Sequence, residues 1–157
     1  MNVPRIANTI GKGVVAGLAG TAAMTVSSTL EQHLRGRAAS TAPADATAKL
    51  LGISEFSTPA AKNRFSTLVH WGYGTGWGVV RGLLASAGLR PAAATFAHGA
   101  AVWGNEQVML PVLDVAPPVY MWAREEVAID AFHHLVYVTA TGVAYDLLDR
   151  GASAARR

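Results

Sequence analysis

The sequence predicts an all-α protein: an integral membrane bundle of about four transmembrane helices, folded as a single domain over residues 1–157. Three observations predict it. Charged residues make up only 15% of the chain, against roughly 25% in an average soluble domain, while 51% of residues are apolar and the mean hydropathy is +0.26. Four apolar stretches, each about 20 residues or longer, are separated by polar or proline-bearing joints, and a helix of that length crosses roughly 30 Å of hydrocarbon. Within each stretch the polar residues form a narrow stripe, where a soluble bundle needs a broad charged face on every helix.

The first stretch runs from about Asn8 to Leu34. Arg5 and Lys12, followed by VVAGLAGTAAM, resemble a signal peptide, but the segment is read as the first spanning helix. A polar loop over residues 35–58 follows, rich in Ala, Ser and Thr, with room for a short interfacial helix around Asp45–Leu51. The second stretch covers residues 59–87, with Thr58 as N-cap, Pro59 at the first helical position and Gly88 as its stop. The third covers residues 91–113, opened by Pro91 and disturbed in its last turn by Pro111. The fourth covers residues 118–148, opened by Pro118 and stopped by Arg150-Gly151. No alternating strand pattern of useful length appears between them.

The stripes are specific. Thr21, Thr25, Ser28 and Gln32 align on the first helix, and His70, Gly74, Trp77 and Arg81 on the second. His98, Val102, Asn105 and Met109 align on the third, with Glu106 adjacent. Glu126, Asp130, His133, Tyr137 and Thr141 align on the fourth. The broad remaining faces, such as Val79-Val80 and Leu135-Val136, are left for lipid or for other subunits or copies. Glycines at small-xxx-small spacing (Gly13 and Gly17, Ala16 and Gly20, and Gly72 to Gly82) suit close helix packing. GTGWG lacks the lysine and the strand-to-helix setting of a phosphate loop. Trp71, Tyr120, Trp122 and Tyr145 lie near helix ends, where aromatic rings suit a membrane interface.

Lysines and arginines give almost no sidedness. Arg5, Lys12, Arg90, Arg150, Arg156 and Arg157 fall on the side of the termini, and Arg81 can reach towards it. Arg35, Arg37, Lys49, Lys62, Arg64 and Arg124 fall on the other. A net charge of +3, scattered along the chain, gives no nucleic-acid footprint. With no cysteine there is no disulfide, thiolate metal site or cysteine nucleophile.

Ionisable side chains inside such a bundle are the informative residues, because an isolated charge in hydrocarbon costs several kcal/mol. His70, Glu106, Asp130 and His133 fall in one half of the bundle, near the long loop, while Arg81 and His98 fall in the other. Pairing is the first expectation: His133 with Asp130 or Glu106, and Arg81 with Asp146. A titrating or permeation site is the second, since histidines beside carboxylates change charge in mild acid. A metal site is the third. Asp130-x-x-His133 has the spacing of the Glu-x-x-His motif in di-iron bundles, and His70, Glu106 and Glu31 lie on the other helices. That motif occurs once here, not twice. Haem ligation by two of His70, His98, His133 and His134 is a further candidate, in a redox subunit. No nucleophile elbow with an ordered His and acid is present, so an enzyme is not the default.

LVHWGYGTGWGVV around His70, HGAAVWGNEQVMLPVLDVAPP from His98 to Pro118, and the Glu125–His133–His134 stretch resemble the YagU-like family of bacterial inner-membrane proteins. The resemblance covers roughly Leu68 to Val138; the first helix and the long loop match poorly. It implies a small multi-pass protein of the bacterial inner membrane, associated with survival in acid. His70, Trp103, Pro117, Pro118, Glu125 or Glu126, and His133 or His134 are the residues it would share. The expectation is a non-enzymatic membrane protein with a stress-related or permeation role, or a subunit of a larger assembly.

Overall fold

A computed structural model describes residues 3–154. The side chain of Arg5, and Arg156 and Arg157, which entered the charge count above, lie outside the described residues. The described residues are all-helical: α1 (Val3–Arg35), α2 (Ala42–Leu50), α3 (Pro59–Ser86), α4 (Pro91–Val112), a 3-10 turn (Val119–Met121) and α5 (Arg124–Ala154).

The starts and stops follow local chemistry. The Thr58 side chain accepts a hydrogen bond from the Ala61 amide, 3.1 Å away, and Pro59 opens α3. Gly88 takes φ 91° just beyond α3, which lets the Leu89 amide fold back onto Leu84 O. Asp114 does the same after α4 with φ 49°, a conformation that Asp tolerates better than most residues. The loop helix is α2, beginning slightly earlier than Asp45 because Pro43 fits its first turn.

The last helix departs from expectation at both ends. Pro118 opens only the 3-10 turn, and Trp122 then turns extended (ψ 152°) with its indole N–H donating to Pro117 O. α5 therefore starts at Arg124, with Glu125 and Glu126 in its first turn, where the helix dipole favours acidic groups. Its other end runs through Gly151, which stays helical.

Two helices are long and apolar enough to cross a membrane: Ile6–Arg35 within α1 and Arg124–Ala152 within α5. α3 and α4 have the length, at about 42 and 33 Å. No stretch of either reaches the same apolar content: α3 carries Lys62, Arg64 and Arg81, and the Asn105-Glu106-Gln107 run interrupts α4.

α1 is the central helix and packs most extensively on α3 and α5. α4 lies against α5 and α3, and α2 lies across α3 and α4. The α1–α3 seam is built from backbone. A Cβ added to Gly13 would come within 2.7 Å of Gly78 O, and one added to Gly17 within 2.6 Å of Thr75 O. Gly20 lies in the same way against Tyr137 and Thr141 of α5. Gly72 and Gly76, which share the glycine pattern, face open space instead.

The interior mixes polar side chains with apolar ones such as Val102, Leu110 and Val138, and many large apolar side chains lie on the exterior. The largest fully buried side chains are Arg81, His98, Thr21 and Thr141, while Phe96 is 80% exposed and Leu68 72%. Val26, Val108, Phe132, Leu135, Val143 and Leu147 add to the exposed apolar surface. Single exposed apolar residues are ordinary, but a fully buried arginine and histidine beside so many exposed large apolar side chains are not.

Candidate functional site

α4 and α5 present facing side chains one turn apart: Trp103 and Glu106 from α4, Asp130 and His134 from α5. The Trp103 indole N–H donates to Asp130 Oδ2 at 2.7 Å. His134 Nδ1 lies 3.0 Å from the backbone oxygen of Asp130. A carbonyl only accepts, so Nδ1 carries the hydrogen and Nε2 of a neutral ring presents its lone pair. That Nε2 lies 3.1 Å from Glu106 Oε2. Glu106 Oε2 is buried and receives no hydrogen bond. Glu106, Asp130 and His134 each offer a ligand atom within 4.8 Å of the others. All three side chains keep a little exposure, between 15% and 22%.

The metal set expected from spacing is not brought together, and His134 takes the place assigned to His133. Successive residues lie about 100° apart around a helix, so the two rings of the His133-His134 pair serve different neighbours. His133 faces α1: its Nδ1 lies 2.7 Å from Ser27 Oγ and its Nε2 3.6 Å from Glu31 Oε2. The expected pairing of His133 with Asp130 or Glu106 gives way to these α1 partners. His70 also serves α1. The Thr25 hydroxyl spends its hydrogen on Thr21 O, so His70 Nε2 donates to Thr25 Oγ1 at 2.8 Å.

Glu31 itself is held by a fork. Arg37 reaches it through Nε (2.8 Å) and Nη2 (2.5 Å), and Arg35 through Nη1 (3.1 Å). Arg35 extends the network to Glu126 and Glu125 of α5. The Glu31 carboxylate bonded to Arg37 holds that guanidinium above its usual pKa.

Arg81 and His98 are both fully buried. Arg81 Nη2 lies 2.7 Å from Asp146 Oδ1, and its guanidinium lies over the Tyr145 ring, 5.1 Å from the centroid. Tyr145 is 3% exposed, so it is an interior anchor and not an interface aromatic. Tyr120, by contrast, is 83% exposed. His98 Nε2 donates to Trp77 O at 3.0 Å, and Tyr137 OH donates to Gly74 O at 2.5 Å. His70 and His98 are engaged through Nε2 with Thr25 and Trp77, while His133 and His134 are engaged through Nδ1 with Ser27 and the Asp130 carbonyl.

Chemically, the α4–α5 group is a mixed imidazole and dicarboxylate site, able to share a proton or hold a cation. Spacing alone found Glu106 and Asp130. It missed the roles of His134 and Trp103, although Asp130-x-x-x-His134 is itself a one-turn pair. No family model, curated protein or solved structure matches this chain.

Proposed function

We propose that the chain is a small multi-pass protein of the bacterial inner membrane, crossing it four times through α1, α3, α4 and α5. In this reading α2, about 14 Å long, lies at the surface on the long-loop side. The protein is non-enzymatic and serves a stress-related or permeation role, such as in acid, or belongs to a larger membrane assembly. The observation that carries the reading is the burial of charged and polar side chains inside helices whose outer faces carry many large apolar ones. Arg81 and His98 are fully enclosed, while Phe96, Leu68, Val26 and Leu135 face outward. The resemblance of residues 68–138 to the YagU-like family supports the compartment and the link to acid. A redox subunit is the second reading, supported by the Glu106–Asp130–His134 group and not by a histidine pair.

Topology tests the first reading directly, because a chain without cysteine gives no labelling background. Ser40→Cys, Ala87→Cys and Tyr120→Cys each place a thiol in an exposed joint. With a membrane-impermeant maleimide, Ser40→Cys and Tyr120→Cys should label from one face and Ala87→Cys from the other. Labelling of Ser40→Cys and Ala87→Cys from the same face, or release of the protein by alkaline carbonate, overturns the reading.

A further inference from the structure

We infer that Glu106, Asp130 and His134 form a binding site for a divalent first-row transition cation. The expectation from spacing drew the metal set from four helices; the geometry draws it from α4 and α5 alone.

The backbone contact of His134 fixes its tautomer. Its Nδ1–H is committed to the Asp130 carbonyl, so the Nε2 lone pair meets Glu106 Oε2 at 3.1 Å. Two acceptors at that distance repel unless something positive lies between them. No hydrogen bond of acceptable geometry joins them, and Oε2 is buried with no other donor. Metals bond imidazole nitrogen and carboxylate oxygen at about 2.0–2.2 Å, which sets neighbouring ligand atoms roughly 3–3.5 Å apart. The Nε2–Oε2 separation already has that value. Asp130 completes the set within 4.8 Å. Its Oδ2 accepts from Trp103, and its Oδ1 lies 3.4 Å from His134 Nδ1.

The surrounding contacts are those of a prepared ligand sphere. A ligating histidine usually donates its other ring N–H to a carbonyl or carboxylate, and a ligating carboxylate is usually held by an outer donor. His134 Nδ1 on Asp130 O and Trp103 Nε1 on Asp130 Oδ2 supply both. One imidazole and two carboxylates without thiolate suit Zn²⁺, Mn²⁺ or Fe²⁺ over a soft cation. Glu106 and Asp130 each lie about 9 Å along their helices from the end beside the long loop. The residual exposure of the three side chains leaves a coordination position for water.

The test is calorimetric titration of Zn²⁺ into the metal-free full-length chain in detergent, with Co²⁺ absorption as an independent readout. One Zn²⁺ should bind per chain. Glu106→Gln and His134→Gln should each weaken binding by about tenfold or more and abolish the Co²⁺ d–d bands. Trp103→Phe, which removes only the outer donor, should weaken it by about tenfold. His33→Ala, at an exposed position on α1, should bind as the parent does. Absence of Zn²⁺ binding overturns the inference. So does unchanged binding in Glu106→Gln and His134→Gln, or loss of binding in His33→Ala. Helix content and elution volume monitor folding. If His134→Gln fails to fold, Glu106→Gln, isosteric and uncharged, decides alone. The inference stands apart from the membrane reading: a failed titration leaves the labelling pattern as it is.

Discussion

Arg81 of α3 and Asp146 of α5 meet at 2.7 Å in the interior, and the arginine has no exposed surface. The guanidinium is incompletely served, since Nε and Nη1 lack partners. Asp146 is therefore the counter-charge on which Arg81 depends. Removing one member of a buried pair costs about 3–5 kcal/mol, whereas replacing both with apolar groups costs much less. Asp146→Leu should accordingly lower thermal stability sharply, and adding Arg81→Met should restore most of the loss. Additive effects in the double variant would show that the pair is not coupled.

The glycines divide into two kinds, and substitution should separate them. A Cβ on Gly78 would run into Gly13 and Gly17, whereas one on Gly76 meets nothing. Gly78→Ala should destabilise by about 1–3 kcal/mol through overpacking. Gly76→Ala should be neutral or stabilise by up to about 1 kcal/mol, since alanine favours the helix. Thermal melts of the two variants side by side check this, and equal shifts would contradict the α1–α3 seam.

Trp103 and Asp130 should behave as one unit. A hydrogen bond to a charged acceptor contributes about 1.5–3 kcal/mol. Trp103→Phe should cost about that much, and Asp130→Asn should cost less in the Trp103→Phe background than in the parent. A double-mutant cycle on unfolding measures the coupling.

Lys49 fastens α2 to the end of α4. Its Nζ donates to Leu113 O at 2.6 Å and to Asp114 O at 2.9 Å, carbonyls that the end of a helix leaves open. Lys49→Met keeps the stem and removes the donors. Amide exchange over Ala44–Ala48 should then quicken by about fivefold, the equivalent of about 1 kcal/mol. Unchanged exchange would mean that the buried Ala44, Ala46 and Ala48 hold α2 without help.

Much of this was legible along the chain. Thr58-Pro59 and Gly88 mark α3 because capping is a local matter, decided within a few residues. Arg81 with Asp146 was legible because a buried cation needs a counter-charge and few acids lie at its depth. The start of α5 was not legible. Pro118 fits the first turn of an α-helix and of a 3-10 turn equally well, and the Trp122 indole bond to Pro117 O arises only from the folded bend. The choice between His133 and His134 was also hidden. Helical periodicity assigns a side chain to a face, but the neighbour on that face comes from another helix. Ser27 and Glu31 on α1 claim one ring, and Glu106 on α4 claims the other.

The division of contacts among the helices fixes the order in which the chain becomes complete during synthesis. α1 emerges first and finds its glycine seam as soon as α3 follows. α4 emerges next, carrying Glu106, whose partner on α5 is not yet made. Until α5 arrives, a nascent chain exposes one unaccompanied carboxyl and a buried arginine without Asp146. A product truncated before α5 thus carries two unmatched charges of opposite sign on adjacent helices. An unfinished copy is thereby chemically distinct from a finished one.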